Sequence, residues 1–108
     1  MEMRHYTTRE GVDPVQDWLD GLEDVKTRVV VLRRIDRLAL GNFGDHKFCH
    51  AGVWELRIDF GPGYRIYYAL ARKATVLLLC GGSKRRQASD IETAVGYWHD
   101  YQRRQRRA

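Results

Sequence analysis

The residues of this chain best suited to chemistry lie between Val53 and Arg86, in VWELRIDFGPGYRIYYALARKATVLLLCGGSKRR. Arg57 and Arg65 flank Gly61-Pro62-Gly63, and Lys84, Arg85 and Arg86 follow an apolar run. A guanidinium keeps its charge and donates two parallel hydrogen bonds to phosphate oxygens, so two of them side by side form a clamp for a phosphate-bearing partner. Lys84 adds a third cation. The ordinary alternative is that Arg57 and Arg65 make cross-strand ion pairs with Glu55 and Asp59.

Side-by-side placement requires a hairpin, and the residue pattern supplies one. Trp54, Leu56, Ile58 and Phe60 alternate with Glu55, Arg57 and Asp59 at period two, and the segment after Gly63 mirrors them. With Phe60 paired to Tyr64 across a three-residue turn, Ile58 meets Ile66 and Leu56 meets Tyr68. Arg57, Asp59, Arg65 and Tyr67 then share the opposite, cationic face, where Tyr67 can stack on an unpaired base, a contact worth about 1–3 kcal/mol. Trp54, Tyr64 and Tyr68 go to the core.

Other elements must carry this hairpin. A short strand is expected over Met3–Thr7. Asp13-Pro14 starts a helix that places Val15, Trp18, Leu19 and Leu22 on one side. A second helix runs from Val25 to Leu40 with Val25, Val29, Leu32, Ile35 and Ala39 as its apolar stripe, and the two make a helical hairpin. Gly41 to Gly52 has no sustained period and reads as a loop. Arg72-Lys73 forms a turn before a central strand over Thr75–Cys80, covered on both faces. Gly81 and Gly82 make the turn that lets Lys84 reach the groove. The last helix carries Ile91, Ala94, Val95 and Trp98, with Ser89 and Glu92 as a capping box or Ser83 as an earlier start.

The 108 residues suit one compact domain, 1–108, with a basic end over 103–108 that has nothing to bury and should fray. No apolar run approaches the roughly 20 residues of a membrane span, and MEMRHYTTRE lacks a signal-peptide segment, so a cytoplasmic protein is expected. Residues 1–54 hold eight Lys/Arg against nine Asp/Glu, whereas residues 55–108 hold eleven against five. The basicity therefore belongs to the sheet and the C-terminus, as for a protein meeting nucleic acid or an acidic partner. Cys49 and Cys80 are not expected to form a structural disulfide. His46, Cys49 and His50 are loosely spaced and lack a fourth ligand, so neither a metal nor another cofactor is expected.

The order β, α, α, β, β, β, α, with GPGYRIYY followed by LLLCGGSKRRQASDIETA, resembles the RelE/ParE toxin superfamily over nearly the whole chain. WELRIDFGPGYRIYY, the Gly-Gly-x-Lys turn and the helix start Asp90-Ile91-Glu92-Thr93-Ala94 are similar to the phage-associated addiction-module killer proteins, close to HigB-type toxins. The resemblance implies an α+β, RelE-like fold: a mainly antiparallel sheet, an N-terminal helical hairpin and a C-terminal helix. It implies the toxin of a type II toxin-antitoxin module, with a cognate helix-turn-helix antitoxin as partner. For RelE-like members it implies ribosome-dependent endoribonuclease cleavage of mRNA; for ParE-like members, non-enzymatic inhibition of DNA gyrase. Arg57, Arg65 and Lys84 match basic active-site positions of the RelE-like toxins.

Cleavage of RNA by its own 2′-hydroxyl needs a group to take that proton, charge stabilisation at the phosphate, and a proton for the leaving 5′-oxygen. The cations serve the second need. Glu55 is a candidate base, and Asp45, His46 and His50 are acid/base candidates from the segment leading into the hairpin. Asp90 is another, unless it merely complements the helix dipole. Some RelE-like proteins end with a catalytic Tyr or His; Tyr97, His99 and Tyr101 are of that type, but none aligns specifically. Lys47, Tyr67, Arg85 and Arg86 are expected RNA contacts.

Overall fold

The computed structural model describes residues 1–72 and 74–107; Lys73, expected in the turn before the last strand, and Ala108 lie outside the described residues. The elements run β1 (Glu2–His5), α1 (Pro14–Asp20), α2 (Val25–Ala39), β2 (His46–His50), β3 (Val53–Ile58), β4 (Tyr64–Ala71), β5 (Thr75–Ser83), a 3-10 turn (Lys84–Arg86) and α3 (Gln87–Arg107). This is an α+β fold with a mixed five-stranded sheet in the order β1-β5-β4-β3-β2. β1 runs parallel to β5, and the other neighbours are antiparallel.

The helix starts follow local chemistry. Asp13 accepts a hydrogen bond from Gln16 N at 3.0 Å with Pro14 in the first turn, and Asp24 caps α2 by accepting from Lys26 N and Thr27 Oγ1. Both helices cover one face of the sheet. Val15 and Leu19 of α1 and Val31, Ile35 and Leu38 of α2 pack there against Leu56, Ile58, Ile66, Tyr68, Val76 and Leu78. The buried positions of α2 are Thr27, Val31, Ile35 and Leu38, so the expected stripe is corrected: Val25, Val29 and Leu32 face outward. The helix carries two overlapping apolar stripes, and packing selects between them.

On the other face α3 packs Ala94, with Ile91, Val95, Tyr97 and Trp98, over Val53, Tyr67, Ala69, Leu77, Leu79 and Cys80. That layer overturns one expectation. Tyr67 does share a face with the arginines, but α3 covers it completely, leaving its ring unable to meet a base. Its hydroxyl is buried without a hydrogen-bond partner, and burial drives its pKa up.

Three further expectations are corrected. The Gly41–Gly52 stretch contains β2, an edge strand whose side chains are almost all exposed; without a buried face its sequence carries no alternation. Ile58, not Phe60, pairs with Tyr64, and Gly63 N bonds Phe60 O at 3.0 Å within the longer 59–63 loop. The two-residue shift keeps every side chain on its expected face but changes its partner. Gly81 and Gly82 are strand residues of β5 rather than a turn. A Cβ on Gly81 would clash with the Trp18 ring, and one on Gly82 would clash with the Asp90 carboxylate, so the missing side chains admit α1 on one face and α3 on the other.

The last helix starts at Gln87, ahead of the Ser89/Glu92 box; Ser89 Oγ instead donates to Arg86 O at 3.2 Å. The basic end expected to fray is helical through Arg107. Arg104 reaches Asp100 and Thr7 O, and Tyr6 donates to Asp100 Oδ2 at 2.7 Å. No helix among the described residues is long and apolar enough to cross a membrane.

Candidate functional site

The shifted register sets Arg57 directly opposite Arg65 beside the loop of the β3–β4 hairpin. Two residues back along β3, Glu55 is fully buried beneath the start of α3. Its two oxygens divide between the arginines: Oε1 lies 3.7 Å from Arg57 Nε and Oε2 lies 3.9 Å from Arg65 Nε. Those separations are ion pairs, longer than hydrogen bonds. The direct hydrogen bonds to Glu55 come from Gln87 Nε2, at 3.1 Å to Oε1 and 2.8 Å to Oε2. Glu55 and Arg57/Arg65 thus do form the ordinary ion pairs, but one carboxylate serves two cations and leaves both with donors to spare.

The two arginines differ in access. Arg57 is 38% exposed at its side chain and Arg65 only 8%. Arg65 Nη1 donates to Tyr64 O at 3.0 Å, while its Nε is buried without a hydrogen-bond partner. Arg34 of α2, which sequence reasoning had not connected to the hairpin, donates from Nη1 to Arg57 O at 2.9 Å and so braces the strand from the opposite layer. No local pattern signals that contact, because it joins residues 23 apart.

Both guanidinium groups line a cleft of about 390 Å³ whose other walls include Asp45, Asp59, Gly63 and Lys84. Lys84 follows β5 and is tied to the hairpin loop by its backbone N, which donates to Gly63 O at 3.0 Å. A side chain on Gly63, whose φ is +90°, would press on Lys84 Cβ at 3.3 Å. Asp45 is exposed and sits 3.9 Å from Arg57 Nη1, with its own carbonyl accepting from Arg57 N at 2.8 Å. The cleft therefore gathers three cations around its mouth with two rim carboxylates, an arrangement that suits a phosphodiester rather than an apolar ligand.

Not every sequence candidate reaches it. Arg85 and Arg86 are exposed in the turn after Lys84, and Lys47 pairs with Glu55 from the exposed edge strand. His46 is corrected: it lies on the α1/α2 side between the rings of Phe43 and Trp54, with Nδ1 3.0 Å from Gly44 O. His50 pairs with Val53 at the far end of β2 and borders a separate recess with Glu55 and Gln87. Asp90 lies against Gly82 with one oxygen buried and unpartnered, and burial holds its carboxyl above the usual range while Arg86 opposes this. His99 is also corrected. It is exposed twelve residues beyond Gln87, about 18 Å along α3, beside Gln102 and Arg103. Tyr97 stacks on Tyr6 and Tyr101 on Trp98, so neither is at the cleft. Among the described residues no group of three or more His, Cys, Asp or Glu could hold a metal ion.

Comparison with known proteins gives the chain a family. Residues 17–95 match the family described as Phage derived protein Gp49-like (DUF891), a span that contains the whole cleft from Asp45 to Lys84. A protein of Haemophilus influenzae, itself described as uncharacterized, is 46% identical over 77 residues, covering 71% of this chain and 78% of that protein. The chain belongs to the phage-derived Gp49-like family, which is a family of RelE-like toxins.

Proposed function

We propose that this protein is the toxin of a type II toxin-antitoxin module, near the HigB-type killer proteins, and that it cleaves messenger RNA on the ribosome. The observation that carries this reading is the pairing of Arg57 with Arg65 across β3 and β4, both opening on one cleft that Lys84 closes from the other side. Arg57 and Lys84 hold the scissile phosphate, and Arg65 reinforces the field from beneath. Glu55, buried and occupied by Gln87, aims the arginines rather than exchanging protons with substrate.

Asp45 is the exposed carboxylate beside Arg57 and takes the 2′-hydroxyl proton. The 2′-oxygen bonds to phosphorus, the bond to the 5′-oxygen breaks, and the Lys84 ammonium protonates that oxygen. The products are a 2′,3′-cyclic phosphate and a 5′-hydroxyl. The ribosome supplies the orientation of the codon, and a cognate antitoxin of helix-turn-helix type covers the basic surface when the toxin is silent.

Primer-extension mapping of mRNA in a translating extract tests this reading. Wild type should produce codon-linked cuts, and Arg57→Ala should lose about 100-fold or more of them. Undiminished cutting by folded Arg57→Ala refutes the site. Inhibition of gyrase supercoiling by the same preparation, without mRNA cuts, refutes the enzymatic reading in favour of a binding toxin.

A further inference from the structure

Beyond Glu55, between edge strand β2 and the first turn of α3, lies a second recess of about 250 Å³. Ile91 gives it an apolar wall, Lys47 a cation, and Gln87 a polar wall, with the buried Glu55 at its base. Phe48 pairs with Trp54, and its ring lies against that indole on the opposite face of the sheet. Glu55 and Arg57 are alternate residues of one strand, so this recess and the arginine cleft are about 7 Å apart along β3, the span of a single extended nucleotide.

Charge sets the orientation of the Gln87 amide. A carboxylate only accepts hydrogen bonds, so the NH₂ group must face Glu55, as it does at 2.8 and 3.1 Å. The amide oxygen is thereby turned away. It accepts from no protein donor among the described residues and is not sealed from solvent. The recess thus offers a fixed acceptor beside an apolar wall and a cation.

We propose that this recess receives the nucleobase adjoining the phosphate held by Arg57, and that Gln87 selects bases bearing an exocyclic amino group over uracil. Adenine, cytosine and guanine each present an NH₂ to the outward oxygen. Uracil has one N–H donor on that edge, flanked by two carbonyl oxygens that the Gln87 oxygen repels. Lys47 takes the neighbouring phosphate. The proposal rests on the RNA-cleaving reading above and adds a determinant of base preference to it.

The test is an NMR titration of the full chain with the trinucleotides AAA, CCC and UUU. AAA and CCC should shift the Gln87 side-chain amide and the backbone amides of Lys47, Phe48 and Ile91, and should bind up to about tenfold tighter than UUU. Gln87→Leu should bring the three affinities together. Lys47→Ala, a change on an exposed edge strand, should weaken binding of all three trinucleotides while leaving the hairpin shifts of Arg57 in place. Shifts at the hairpin with none at Gln87, or equal binding of UUU to wild type, overturn the recess and leave the cleavage reading standing. No shift at either place overturns the recess, and the primer-extension assay on translating extract decides the cleavage reading separately.

Discussion

Arg57 and Arg65 stand as direct partners across two antiparallel strands, and a single buried carboxylate, Glu55, reaches toward both at 3.7 and 3.9 Å. Like charges placed opposite each other on a sheet repel, so the pair persists because Glu55 lies beneath it. Each cation is held in place without surrendering all of its donors. The result is positive charge focused at the hairpin end, where α3 stops covering the sheet.

The difference in burial between these arginines predicts different mutant behaviour. Arg57→Ala should lose cleavage with under about 1 kcal/mol change in folding stability, because its side chain is substantially exposed. Arg65→Ala should lose cleavage and also about 1–3 kcal/mol, since it abandons the buried Glu55 and empties packed space. Urea unfolding of the two variants checks this, and equal midpoints would contradict it.

Asp90 should be a stability cost at neutral pH. Its pKa is raised by burial against Gly82, so the native state binds a proton more readily than the unfolded chain and ionisation weakens the fold. Asp90→Asn should therefore melt at a higher temperature than wild type at pH 7. The advantage should fade as pH falls through the raised folded value and vanish below the ordinary 3.8. Melting curves at pH 7 and pH 3 measure the difference; a constant gap would show that charge is not its cause.

Asp100 should behave in the opposite sense. The Tyr6 hydroxyl and Arg104 hold its carboxyl below the usual range, while burial and this carboxylate raise the Tyr6 phenol to about 12. A lowered folded pKa contributes stability that is complete above the unfolded value and disappears as pH drops through the folded one. Asp100→Asn should thus lower the melting temperature at pH 7 and have little effect near pH 2. Hydrogen exchange should also show faster opening of the last turns of α3, which this cluster ties to the segment after β1.

Gly81→Ala should destabilise by about 1–3 kcal/mol, because the added methyl meets the Trp18 ring with no free space. A smaller partner should relieve it. The double variant with Trp18→Leu should lose less than the sum of the two single losses in thermal melts, and strict additivity would mean that the close approach is not the cause.

Much of the architecture was legible one segment at a time. Asp13-Pro14 announces a helix start because capping is satisfied within three residues, and the alternation from Val53 to Tyr68 assigns side chains to faces because neighbouring strand residues point oppositely. That local chemistry was enough to put Arg57, Arg65 and Glu55 on one face, and Lys84 close by. It carried no information on what α3 would cover, so Tyr67 was expected in the open and proved buried.

What the chain alone determined, then, is periodicity, caps and the facing of charged residues, all set by interactions within a few peptide units. Tertiary structure decided the rest: the two-residue register that opposes Arg57 to Arg65, the side of α2 that turns inward, the edge strand at His46–His50, and the grip of Gln87 on Glu55. Each of these depends on contacts between distant segments competing for the same surface, and that competition is resolved only when the layers pack together.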